Sequence, residues 1–249
     1  DDRAGCAILI DMIQSELPYD MTFVFCVQEE VGTRGSRTAT YQVQPQAAIV
    51  VETTTAADVA GVPNEKHVCS LGKGAVISFM DKGTIYDRAY YDLALDTARE
   101  EQLPCQIKQA VAGGNDAGAI HATRDGVRTI AVSLACRYLH SAVGQIAQDD
   151  FHSAETLIMK LVRAGSLPHV SLTPIAQYQE TDSFACRILC IANMYENYPF
   201  ADFWIQKKEE AEHPTAYLSK MDGVITLFAH ENADFDELCI FIKMIGARC

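Results

Sequence analysis

The chain has 249 residues, 49% of them apolar and 21% charged, and a formal net charge of −13. That balance is ordinary for a globular protein of one large or two modest domains. It excludes a helical membrane span, which needs roughly 18 to 20 uninterrupted apolar residues, and so acidic a surface disfavours nucleic acid and anionic lipid as partners. The chain opens on charge, Asp1-Asp2-Arg3, with no basic-then-apolar leader and no initiator Met, so its start reads as a cut or a fragment. Nine cysteines without framework spacing fit a reducing cytoplasm better than a disulfide-built fold. Cys186 and Cys190 read as one helix face rather than a metal pair.

In chain order, apolar spacing predicts a helix over 4–17. Met21 to Val27 is a strand-like run with no polar alternation, as in a strand covered on both faces. AAIVV (47–51) is a second such run, ending in Glu52. GAVISFM (74–80) is a third, 89–101 reads as a helix, 105–111 as strand, and VRTIAVSL (127–134) as another core strand. Asp149-Asp150 open a helix through Val162, with acid at its N-terminus as the helix dipole prefers. Strands alternating with amphipathic helices predict an α/β sandwich, three layers around a mixed, largely parallel sheet. After Gly165 the composition changes. The proline-containing stretch 166–174 reads as a linker, and 175–249 as a small α/β unit separate from 1–165.

Ligands of such sheets bind beyond the carboxyl ends of the strands. Glu29-Glu30, Glu52 and His140 are expected at those ends. With Asp1 they supply carboxylates and one imidazole, donors that suit zinc, cobalt or manganese. A carboxylate has two oxygens and so bridges two metals. Glu29, beside Glu30, suits the role of a base that touches water without holding metal. On zinc, the pKa of water falls from 15.7 to about 7. Each residue also has a plain reading: a solvated Glu-Glu pair, a helix cap at Asp1-Asp2, a turn cap at Glu52, a loop histidine at 140. The glycine-rich AGGNDAG (112–118) lacks the GxGxxG pattern and the phosphate-loop lysine, and reads as a tight strand-to-helix turn lining the site.

Six segments, DDRAG, VQEEVGTRGS, VVETTTAADVAG, LGKGAVIS, GGNDAGAIHATRDGV and ACRYLHSAV, together resemble in order and spacing the glutamyl/tetrahedral aminopeptidases, some of which carry the name endoglucanase M. The resemblance covers Asp1 to about Gly165. It implies a co-catalytic two-metal peptidase acting on short peptides, and a homo-oligomer. It assigns Asp1 as bridging carboxylate, Glu29 as general base, Glu30 and His140 as ligands of one metal and Glu52 as terminal ligand of the other. Glu52 stands where the family often has Asp, and Asn115 where Thr is common. The family also has a metal histidine upstream of the Asp1 motif and a small inserted β-rich domain, neither of which the sequence contains. His67, in the loop GVPNEKHV, is a weak substitute for that histidine. The expectation is therefore a chain of weak or no activity by itself, with an open sheet edge. The alternative reading is a catalytically inactive fragment or fusion. The tail faintly resembles the N-terminal part of GNAT-type acetyltransferases, without their glycine-rich acetyl-CoA loop. A cellulase would need aromatic sugar platforms and paired acid and nucleophile carboxylates, and the single Trp204 lies in the tail.

Overall fold

The computed structural model describes residues 2–19 and 21–163, together with the backbone of four later strands. In order the elements are α1 (Arg3–Ile13), β1 (Met21–Cys26), α2 (Arg34–Val43), β2 (Ala47–Thr55), β3 (Ala75–Ile77), α3 (Arg88–Glu100), β4 (Cys105–Ile107), α4 (Ala117–Ile120), β5 (Arg128–Cys136), α5 (Gln148–Arg163), β6 (Ile188–Asn193), β7 (Phe203–Ile205), β8 (Ala216–Met221) and β9 (Val224–Ala229). The fold is α/β, and the sheet order is β4-β3-β5-β2-β6-β1-β9-β8-β7. β1, β6, β2 and β5 run parallel; β3 is antiparallel to β5, and β9 to β1. The four later strands thus lie in the same sheet as β1 to β5, while residues 166–174 are outside the described ones.

The unbroken apolar strands are covered on both faces. In β2, Ala47, Ile49 and Val51 pack with Ile8, Leu9 and Met12 of α1 and with Leu157, Ile158 and Leu161 of α5. Ala48 and Val50 point the other way, towards Ala39 of α2 and Ile120 of α4. Side chains alternate across a strand, so a run that is apolar at every position needs a layer on each side.

Several boundaries differ from the sequence reading. β2 does not end at Glu52. Its β-branched Thr53-Thr54-Thr55 continue the ladder, pairing with Leu134, Ala135 and Cys136 of β5. Glu52 therefore sits inside a strand, opposite Ser133, on the face shared with Ala48 and Val50. The run 74–80 keeps only three strand residues. Gly74 has φ +83, and a Cβ there would collide with the Pro104 carbonyl. α2 carries no apolar stripe: its buried side is Gly35, Ser36, Ala39 and Thr40, small enough to pack close to the sheet but invisible to a hydrophobic pattern.

Candidate metal centre

β1 leads directly into the site. Gln28 adopts a left-handed backbone (φ +62), which ends the extended chain and turns Glu29 and Glu30 outwards. The turn is closed by Gly32 and Thr33 N–H groups donating to the Glu29 carbonyl at 3.0 and 2.9 Å. Across the sheet, the segment after β5 carries His140, itself at φ +60. The two turns meet: His140 Nε2 lies 3.3 Å from Glu30 Oε1. Residues 110 positions apart in sequence are thus neighbours at the carboxyl ends of parallel strands.

An open cleft of about 610 Å³ holds Glu29, Glu30, Glu52 and His140 together. The glycine-rich segment 112–115 lines its wall, and α4 begins at Ala117 immediately after it. Lys82 N–H donates to the Gly113 carbonyl at 2.9 Å and Lys108 Nζ to the Ala112 carbonyl at 2.6 Å, fixing that wall. Asp81 and Asn115 both bond the Tyr86 hydroxyl beneath it.

Buried acid gathers around Glu52, which lines the cleft. Glu52 is 7% exposed and accepts from Thr53 N–H at 2.9 Å. Burial raises its pKa well above the ordinary carboxylate range, and the negative charges of Asp2, Glu29 and Asp116 push the same way. Asp2 caps α1: its Oδ1 accepts from Gly5 N–H at 2.9 Å, while Oδ2 is buried without a partner. Burial lifts Asp2 to about 7, with the Gly5 hydrogen bond opposing. Asp116 is lifted to about 6 by burial, and neither of its oxygens receives a well-formed hydrogen bond. The nearby Ser36 hydroxyl offsets part of that penalty, but it bonds the Thr33 carbonyl at 3.1 Å.

Among the described residues no three His, Cys, Asp or Glu side chains converge on one metal position, and Asp1 lies outside those residues. The donor set nonetheless fits divalent cations. Carboxylates and an imidazole are the right ligand types, Glu30 and His140 already approach each other, and Asp2 Oδ2 and both Asp116 carboxylate oxygens are buried without a hydrogen-bond partner. His67 is not in the cleft: its Nε2 lies 3.0 Å from the Val62 carbonyl in its own loop. Cys186 is outside the described residues, and Cys190 lies in the strand β6, paired with β1 and β2, rather than on the helix face that the spacing suggested. Sequence reasoning passed over Asp116, Ser133 and the cleft cations Arg37, Lys82 and Lys108. Asp116 stands inside a motif already noticed; the others carry no local signal, because only the sheet order brings them together.

Sheet and cleft together define an α/β protein with an acid-rich, metal-compatible site at the carboxyl ends of parallel strands. Residues 1–157 match the M42 glutamyl aminopeptidase family, and the chain belongs to that family. It is 32% identical over 166 residues to the glutamyl aminopeptidase of Lactococcus lactis, an alignment that covers 65% of this chain and 45% of that protein. Among solved structures it resembles an aminopeptidase from Desulfurococcus kamchatkensis, with a TM-score of 0.63 and 28% identity, over 65% of this chain and 47% of that one. It also resembles the TET1 peptidase of Pyrococcus horikoshii, described as assembling into a tetrahedron or a large octahedral shell, with a TM-score of 0.52 and 30% identity over 65% of this chain and 48% of that one. The chain spans about half the length of the curated relatives it matches. No helix among the described residues is long and apolar enough to cross a membrane.

Proposed function

We propose that this chain carries the acid–base and metal-ligating half of an aminopeptidase that removes N-terminal residues from short peptides. The observation that supports this most directly is the 3.3 Å approach of His140 to Glu30 in the cleft that also holds Glu29 and Glu52. Glu30 and His140 would hold one divalent metal. Glu52 would hold the second, and Asp1, which lies outside the described residues, would contribute its carboxylate to the pair. Zinc, cobalt and manganese all accept these donors. When bound, such ions supply Lewis acidity and a nucleophilic water at neutral pH.

The chain's own residues do the rest. Glu29, beside Glu30 but free of ligand duty, takes the proton of the attacking water and returns it to the leaving amine. A positioned base of this kind contributes about 10²- to 10⁴-fold. The carboxylates of the cleft favour a cationic α-amine, which orients the substrate's first peptide bond towards Glu29. The surroundings of Glu52 support this division of labour, because a buried carboxylate among like charges gains most from a cation. Assembly into homo-oligomers and a cytoplasmic setting belong to the same reading, the first by analogy with the shell-forming relative.

Calorimetric titration with zinc and then cobalt tests the metal sites. About two ions per chain, lost in a Glu30→Ala/His140→Ala double variant, is the expected result; no stoichiometric uptake would overturn it. In the metal-loaded protein, Glu29→Gln should keep the ions and lose peptide hydrolysis by at least about 100-fold.

A further inference from the structure

Beside the acid-rich cleft lies a second one, of about 480 Å³. The two share Arg37, Gly118 and Ala119 as walls, so they adjoin. Their walls differ in charge. The first mixes Glu29, Glu30 and Glu52 with Arg37, Lys82 and Lys108, whereas the second has two arginines, Arg37 and Arg124, and no acidic wall residue.

Arg124 is held in place rather than trailing in solvent. Its guanidinium carbon sits 3.8 Å from the centre of the Tyr41 ring, and its Nε donates to the Tyr41 carbonyl at 2.8 Å. That leaves its two terminal nitrogens without a partner among the described residues. Arg124 also adopts φ +52, so the backbone accepts an unusual conformation at the residue that presents this group. Arg37, one turn into α2, has no carboxylate partner among the described residues. In a chain of net charge −13, two arginines left facing one cleft are a marked departure. The walls between them are small, Gly118 and Ala119, so the backbone of a ligand passes close to α4.

We propose that this second cleft is a subsite for the free C-terminal carboxylate of a short peptide, bound between Arg37 and Arg124. The proposal rests on the aminopeptidase reading and deepens it. A short peptide is a zwitterion. Its α-amine suits the carboxylates Glu29, Glu30 and Glu52 of the first cleft and its carboxylate the two arginines of the second, and a planar guanidinium pairs with a carboxylate through two parallel hydrogen bonds. Length selection then follows from the span between the two clefts, without any lid.

The test compares a tripeptide with its C-terminal amide, on the metal-loaded chain and on an Arg124→Gln variant. For an Arg–carboxylate pair at a partly exposed site, the free acid should be preferred about ten-fold in kcat/KM, chiefly through KM. In Arg124→Gln that ratio should fall towards one, and in Arg124→Lys it should recover only in part. A purely structural role for Arg124 would move melting temperature and both substrates together and leave the ratio intact; that result, or equal use of acid and amide by the parent chain, overturns the subsite. If no peptide is hydrolysed, the catalytic reading has failed by itself. The subsite is then judged by calorimetry with an N-acetylated dipeptide and its amide. Tighter binding of the acid, abolished in Arg124→Gln, upholds the proposal, and equal binding of acid and amide sinks it.

Discussion

Individual carboxylates here behave according to what surrounds them. Asp58 is held below the ordinary range, first by its paired hydrogen bonds from Arg137, at 2.7 and 2.8 Å. Asp116 is the opposite case: burial without a proper partner lifts it from 3.8 to about 6. Between those values the folded chain binds more protons at this site than the unfolded chain. The Asp116 contribution to stability therefore falls as pH rises from 4 to 6 and is fully unfavourable above 6. In the metal-free protein Asp116→Asn should be stabilising by on the order of 2 to 3 kcal/mol at pH 7.5, with the gain fading by pH 4. Denaturant unfolding at the two pH values measures this. A variant no more stable than the parent at pH 7.5 would mean that a positive group reaches Asp116. The sequence shows Asp116 only as one letter of a glycine-rich segment; its burial needs α2 and α4 packed over the sheet, and α2 has no apolar stripe to announce it.

Elements are held in register by a few buried polar contacts. α5 is the clearest example. Its first turn carries Asp149 and Asp150, which the sequence reading assigned to the helix dipole. Asp150 does more than that. It is 0% exposed and accepts from Gly72 N–H at 2.8 Å and Gly74 N–H at 2.6 Å, tying α5 to the turn before β3. Ser153, one turn on, donates to the Pro104 carbonyl at 2.8 Å and fixes the approach to β4. Asp150→Ala strands two backbone donors and should cost about 2 to 4 kcal/mol, measurable by urea unfolding. Asp150→Asn keeps one acceptor and should cost less. Equal losses in the two variants would assign the effect to packing instead. A dipole role is visible in any acidic first turn, but the bond to a loop 76 residues away is not, since nothing local distinguishes the two aspartates.

At the scale of the molecule the balance is between repulsion and a cation. Net charge is −13, and the charges of Asp2, Glu29 and Asp116 all act on buried Glu52. Divalent metal should therefore act on the folded state as a stabilising ligand. At a free concentration 100 times Kd, one site adds about 2.7 kcal/mol, which for a chain of this size raises Tm by roughly 5 to 10 °C. Thermal melts with zinc and with a chelator test this, and the Glu30→Ala/His140→Ala variant should lose most of the difference. An unchanged Tm with zinc would mean that the folded chain takes up no zinc, and would overturn the metal reading.

Much about this protein was written along the chain. Apolar runs without alternation gave strands covered on both faces, and the helical spacing of 4–17, 89–101 and 149–162 located α1, α3 and α5 to within a few residues, because burial of side chains at a fixed period is a local property. The motifs around Glu29, Glu52 and His140 also placed the chain in its family before any contact was known. Tertiary structure alone decided three things. It set Glu52 within β2 rather than at its end, because pairing with β5 carries Thr53 to Thr55 onward. It put a strand from beyond residue 187 between β1 and β2, which no local pattern encodes. And it brought His140 to Glu30, and Arg124 onto Tyr41, by folding distant turns against one another. Periodicity reports which face of an element is buried; only the order of strands in the sheet determines which ends meet, and the chemistry sits at those ends.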